Sequence, residues 1–293
     1  MDETCVKKEV ITDRYAIYNG DSCEILPGIP SNSVHFEIYS PPFASLYTYS
    51  NSERDLGNCK SDSEFFEHFE FIIKELYRVL MPGRIMAVHC MNLPTSKERD
   101  GYIGIKDFRG DLIRAFQKEG FIYHSEVCIW KDPVIAMQRT KALGLLHKQL
   151  KKDSCMSRQG IPDYLVAMRK PGENPERVEH TNESFPVYIW QQYASPIWTD
   201  INPSDTLQAS SAREEKDEKH VCPLQLTVIR RALNLWSNPG DTVLSPFMGI
   251  GSEGVVALQN GRRFVGVELK PSYYEQSVKN CAAVTETTQT SLW

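Results

Sequence analysis

Seven short runs rich in β-branched and aromatic residues punctuate the chain: YAIYNG at 15–20, VHFEIYS at 34–40, RIMAVHC at 84–90, FIYHSEVCIW at 121–130, YLVAMRK at 164–170, DTVLSPF at 241–247 and RFVGVEL at 263–269. Helical spacing lies between them. SDSEFFEHFEFIIKELYRVL (61–80) opens on Ser and Asp and is predicted to stop at Pro82-Gly83. FRGDLIRAFQKEG (108–120) is predicted to stop at Gly120, and CPLQLTVIRRALNLWSNPG (222–240) at Pro239-Gly240. This alternation predicts an α/β domain, a mainly parallel sheet with helices on both faces. From Pro171 to Lys219 the rhythm breaks into polar sequence, yet YIWQQYASPIWTDI brings Trp190, Tyr193 and Trp198, too many rings for a disordered linker. That stretch reads as a long functional loop or small insertion, its rings packing it to the core or serving its function.

The 293 residues are enough for a core that needs no disulfide or metal staple. The eight cysteines show no CxxC pairing, and those in apolar runs (Cys90, Cys128) read as small buried hydrophobes. Neither a membrane-length apolar run nor the apolar core of a signal peptide is present, so a cytoplasmic protein is expected. The net charge of −5 is unevenly spread. Residues 131–170 carry nine Lys/Arg against three acids, whereas 171–219 carry four against ten. A local basic stripe of this kind serves phosphate binding or is simply a solvated face.

Two stretches carry chemistry. FEIYSPPF (36–43) is a strand halted by Pro41 and Pro42, neither of which can donate a ladder hydrogen bond, and aromatics follow at Phe43, Tyr47 and Tyr49. DTVLSPFMGIGSEGVVALQNGRRFVGVELK (241–270) runs from a strand into Gly249-x-Gly251, then a helix, then a second strand ending in Glu268. The glycines permit a tight turn and close ligand approach, and the helix start offers free N–H groups. Glu268 stands near the offset at which an acid meets ribose hydroxyls, which favours a nucleoside-bearing ligand. Gly254 is displaced from a dinucleotide fingerprint, which argues against pyrophosphate.

SPPF at 40–43, followed about 200 residues later by SPFMGIGSEG, resembles the amino-methyltransferases that act on DNA bases with S-adenosylmethionine. The order, catalytic loop before cofactor loop, is that of their β group. YNGDSCEILPGIPSNSVHFEIYSPPF is similar to the family's opening segment, EKHVCPLQLTVIRRAL to the segment before the cofactor strand, and CIWKDP with YLVAMRK to strands flanking its variable part. The form SPF…GIGSEG is similar to phage sequences, so the implied setting is a bacterial or phage-infected cell. The family's fold is a Rossmann-like sheet of seven strands, which matches the seven runs counted above.

The resemblance implies a catalytic domain of residues 1–170 and 220–293, with 171–219 an insertion for target recognition together with the basic stretch 131–170. It implies that Ser40, the carbonyl beside Pro41, and Pro42 hold an exocyclic amine (cytosine N4 or adenine N6) of a flipped base stacked on Phe43. Most of the rate is then expected from positioning rather than from a strong base or proton relay. The implied cofactor pocket takes in Asp21, Glu268, Ser245, Phe247, Gly249 and Gly251, with His220, Pro223 and Gln225 from the preceding segment. Asp21 reads equally as a turn acid, and His220 as a helix-start residue. Arg139, Lys141, Lys148, Lys151, Lys152 and Arg158 are candidate phosphate contacts on double-stranded DNA, and the expected state is a monomer or homodimer. The family's usual Asp-Pro-Phe is Ser245-Pro246-Phe247 here, which leaves open how the methionine ammonium is held. The alternatives are an RNA base methyltransferase and a catalytically silent DNA-binding module; a Rossmann dehydrogenase leaves Ser-Pro-Pro-Phe without a purpose.

Overall fold

A computed structural model describes residues 6–42, 56, 59, 61–140, 142–208 and 223–290, with side chains for all of these but 62, 139, 140 and 287–290. In chain order the elements are β1 (Lys8–Ile11), β2 (Tyr15–Asn19), α1 (Ser22–Ile25), β3 (Val34–Tyr39), α2 (Asp62–Val79) and β4 (Leu80–Met91). A small antiparallel pair, β5 (Leu93–Pro94) and β6 (Ile105–Lys106), encloses α3 (Lys97–Asp100). Then come α4 (Phe108–Lys118), β7 (Ile122–Ile129), α5 (Pro133–Thr140), α6 (His147–Lys152), β8 (Asp163–Arg169), α7 (Val187–Tyr193) and β9 (Ile197–Trp198). The chain closes with α8 (Leu226–Trp236), β10 (Thr242–Ser245), α9 (Ser252–Gln259), β11 (Arg263–Glu268) and α10 (Pro271–Thr290).

Among the described residues one sheet holds nine strands in the order β1-β2-β11-β10-β3-β4-β8-β7-β9. From β2 to β4 all neighbours are parallel, and β8 turns antiparallel against both β4 and β7. The seven expected strands form its body. Two were not expected: β1, antiparallel to β2, and β9, parallel to β7, which extend its two edges. Alternation sorts the strand residues into two cores. Phe36, Ile38, Ala87, Leu165 and Val243 face α8, α9 and α10, while Tyr39, Met86, Val88 and Val166 face α2 and α4.

Helix α2 is a clear case of pattern becoming packing. The Ser61 hydroxyl caps it by accepting from Glu64 N at 3.2 Å, and Phe65, Phe69, Ile72, Ile73 and Leu76 bury the stripe this spacing creates. Each such side chain contributes about 1.5–3 kcal/mol. The expected stop at Pro82-Gly83 is corrected: the helix ends at Val79, and Pro82 and Gly83 lie inside β4. The β3–β4 register jumps from Val34↔Leu80 to Phe36↔Ile85, so the intervening residues bulge out of that ladder. Pro82 is tolerated there, and Gly83 takes φ +74°.

Of the polar stretch 171–219, residues 171–208 are described, and they form regular elements and contacts with the sheet. Its first part crosses the end of the sheet where the parallel strands begin: the Glu176 carbonyl accepts from Arg84, and that of Arg177 accepts from Asn238. It then forms α7 and β9. Trp198 is buried and donates from Nε1 to the Tyr193 carbonyl, and the Arg231 guanidinium lies 5.0 Å from the Trp198 ring and 5.1 Å from that of Tyr193. Trp190 stays exposed.

Candidate active site

The two sequence motifs meet because their strands are neighbours. β3 and β10 run parallel with Val243↔Phe36 and Leu244↔Glu37 paired, so Ser40-Pro41-Pro42 and the loop after Ser245 leave the same end of the sheet side by side. That end is also where residues 130–162 leave and return, since β7 ends there and β8 begins there. Phe43 lies outside the described residues.

The cofactor-type loop is held from both sides. Met248 N donates to the Val267 carbonyl at 3.1 Å, and Gly249 N donates to Glu268 Oε2 at 2.9 Å. Glu268 Oε1 accepts from Lys270 N, while the Asn19 amide donates to the carbonyls of Glu268 and Leu269 and brings the end of β2 alongside. Gly249 and Gly251 adopt φ +53° and +88°, which an L side chain would strain, and Gly251 caps α9. A Cβ on Gly249 would project into open space, whereas one on Gly251 would come within 3.0 Å of Ser277 Cβ. Asp21 caps α1 by accepting from Cys23 N at 2.9 Å, and the neighbouring Ser22 hydroxyl donates to the Pro246 carbonyl. Thus Asp21, Ser245, Gly249, Gly251 and Glu268 gather at one end of the sheet. The Phe247 ring instead packs downward, 5.9 Å from Tyr39 and 6.2 Å from Phe69. Pro223 is half-buried, Gln225 is buried at the N-cap position of α8 with no side-chain capping bond, and His220 lies outside the described residues.

Polar atoms here are buried and unsaturated. The hydroxyls of Ser245 and Ser252 and Oε1 of Gln225 have no hydrogen-bond partner among the described residues. Orphaned groups at the mouth of a glycine turn and a helix start suit a ligand with polar edges. These residues therefore fit the nucleoside and methionine ends of S-adenosylmethionine. Glu253, in the first turn of α9, is buried, and burial raises its carboxyl to about 8; its own backbone amide offsets this in part and the Glu268 charge adds to it.

Next to Ser40 the structure places residues that sequence reasoning did not select. Ser40 Oγ lies 2.9 Å from His89 Nδ1, and His89 Nε2 lies 3.2 Å from Asp163 Oδ2, an ion-pair distance with the N–H not aimed straight at the oxygen. Lys131 Nζ donates to Asp163 Oδ1 at 2.5 Å. Burial pushes the Asp163 carboxyl up, but His89 and Lys131 together outweigh it and hold it below its ordinary value.

The basic stretch divides. Lys148, Lys151 and Lys152 lie exposed on and around α6, whereas Arg158 is half-buried and donates to the Gln159 carbonyl, so it is withdrawn from the exposed group. Lys131 pairs with Asp163, and Lys170 is buried against Asn32 and the Leu80 carbonyl, so neither adds to the exposed charge counted from sequence. Lys141 and the Arg139 side chain lie outside the described residues.

A family model described as DNA methylase matches residues 34–279. The chain is 25% identical over 284 residues to the type II methyltransferase M.Cfr9I of Citrobacter freundii, covering 89% of this chain and 86% of that one. It is 23% identical to the DNA adenine methyltransferase YhdJ of Escherichia coli K12, covering 90% and 81%. Among solved structures, TTHA0409 of Thermus thermophilus, complexed with S-adenosyl-L-methionine, superposes with a TM-score of 0.67 at 22% identity over 92% of this chain and 95% of that one.

Proposed function

The chain belongs to the DNA methylase family whose members modify N6 or N4 amino groups, and from that premise we propose that Ser40-Pro41-Pro42 presents such an amine to S-adenosylmethionine. One observation carries this reading. Two motifs about 200 residues apart in sequence end on adjacent parallel strands, catalytic turn beside glycine turn. When bound, the cofactor supplies an electrophilic methyl group; the protein's task is to place and polarise the nucleophile.

The exocyclic amine of cytosine or adenine has its lone pair delocalised into the ring. Accepting its N–H hydrogens at Ser40 Oγ and at a carbonyl held by Pro41 and Pro42 turns that lone pair toward the methyl. Preorganised acceptors of this kind act without rearranging during the reaction. Glu268, Asp21 and the backbone of 247–251 hold the cofactor's nucleoside and methionine parts, with Ser245, Pro223 and Gln225 closing around it. Double-stranded DNA approaches the end of the sheet where residues 131–162 emerge and return, with Lys148, Lys151 and Lys152 meeting phosphates.

The test is nucleoside mass spectrometry on DNA from cells expressing the protein, beside Ser40→Ala. N4-methylcytosine or N6-methyladenine above host background, lost in the variant, is the expected result and identifies the base. Folded protein that adds neither to DNA would overturn the reading; a methylated base in RNA alone would assign the same chemistry to the other nucleic acid.

A further inference from the structure

Methylating a neutral amine leaves a surplus proton on nitrogen, and the residues assigned above only accept hydrogen bonds. The sheet provides a route. Ile38 and Ser40, Ala87 and His89, Leu165 and Asp163, and Ile129 and Lys131 are successive same-face positions on four adjoining strands, so the four polar residues line up just past the core. The registers Tyr39↔Val88 and His89↔Leu165 bring them into reach.

We propose that His89 is a positioning residue that acts through Ser40, taking the proton that leaves the substrate amine while Asp163, anchored by Lys131, orients its ring. The inference rests on the amino-methyl transfer described above. If Ser40 donates to Nδ1, the imidazole carries its proton on Nε2, facing Asp163, and both lone pairs of Ser40 Oγ stay available to the substrate. As the N–C bond forms, the sulfonium S–C bond breaks and its electron pair stays on sulfur. The amine proton moves to Ser40 Oγ as the hydroxyl proton passes to Nδ1, leaving an imidazolium beside the Asp163 carboxylate. The proton then leaves to solvent and the imidazole returns to its neutral form. Among the described residues the groups facing His89 are Ser40 from the end of β3, Asp163 from β8 and Lys131 from beyond β7. The Arg109–Glu126 pair and Cys90 lie on the opposite face.

The decisive experiment combines kinetics with the state of the ring. With protein in excess over plasmid DNA from a methylation-deficient host, His89→Asn and Asp163→Asn are compared with wild type in a single turnover across pH. The amide introduced by His89→Asn can still accept from Ser40 but cannot hold a proton. The expected result for this variant is a rate about 100-fold lower, the low end of general-base effects, cofactor affinity within about twofold of wild type, and loss of the acid limb of the pH profile. Asp163→Asn is expected to lower the rate and keep a displaced acid limb. In the apoprotein, the ¹⁵N-imidazole spectrum of His89 is expected to show the Nε2–H tautomer. An unchanged rate or an intact acid limb in His89→Asn would overturn the relay, and so would an Nδ1–H ring in the wild type. The ring is read without substrate, so wild-type protein inactive on every nucleic acid would sink the function while the tautomer still judges the hydrogen-bond geometry.

Discussion

The two ends of the sheet handle buried polar groups in opposite ways. Where the parallel strands begin, Arg84 is fully buried and each nitrogen of its guanidinium has an acceptor: the His35 carbonyl, the Glu176 carbonyl and the Asp241 carboxylate. His35 Nε2 faces Glu176, and its Nδ1 accepts from Thr242 N. Where the strands end, Ser245, Ser252 and Gln225 keep buried polar atoms with no partner among the described residues. A saturated network fixes the fold, whereas an unsaturated one beside a glycine turn is set for a ligand. Burial alone does not separate these two sets, whereas hydrogen-bond saturation does; Glu37, buried within β3 with both carboxylate oxygens unpartnered among the described residues, belongs to neither.

The sharpest way to break this contrast is Arg84→Met. It leaves Asp241 buried without its cation, and urea unfolding should show a loss of about 3–5 kcal/mol, with methylation per folded molecule unchanged. Ser40→Ala should do the reverse, lowering single-turnover methylation by about 100-fold or more while the urea midpoint stays in place. Gly251→Ala is expected to affect both ends of the comparison at once. It forces a side chain to φ +88° against Ser277, costing about 1–2 kcal/mol, and weakens cofactor binding measured by calorimetry.

Glu253 offers a pH-dependent version. Unfolded, its carboxyl releases a proton near the ordinary value of 4.5; folded, it holds the proton to about 8. Across that window the folded state binds more protons, so apoprotein stability falls as pH rises, by up to about 1.4 kcal/mol per pH unit. Glu253→Gln should remove this slope in denaturation curves taken from pH 5 to 8. The smallest effect is expected from Ser245→Ala: stability within about 0.5 kcal/mol, because an orphaned hydroxyl is removed, with cofactor affinity down about tenfold. A large stability loss there would mean that the hydroxyl already serves the fold.

The body of the sheet was legible in sequence because its strands are short, apolar and bounded by turns. The edge strands were not: β1 (KEVI) is largely exposed and β9 has two residues, so neither has a buried period to read. Pro82-Gly83 misled because the same pair that stops a helix also fits a bulge, and only the register against β3 tells them apart. The glycine loop after β10 was readable as one continuous motif. The Ser40–His89–Asp163–Lys131 line was not, since its members are 49, 74 and 32 positions apart and meet only once strand order is known. Lys131 and Lys170 were counted as surface charge for the same reason: a cation's partner is a fact of topology. Phe247 shows the limit of motif carry-over, its backbone in the loop and its ring in the core.

The slot that β10 and β11 occupy, between β2 and β3, has a consequence for synthesis. A chain emerging from the ribosome exposes Ser40 early, but the centre of its sheet stays unfilled until residues 242–268 arrive. The nascent protein therefore has two long-lived open strand edges and depends on late, long-range pairing to close them. A chain interrupted within residues 171–219 carries Ser40-Pro41-Pro42 but lacks β10 and β11, and with them the glycine turn and Glu268.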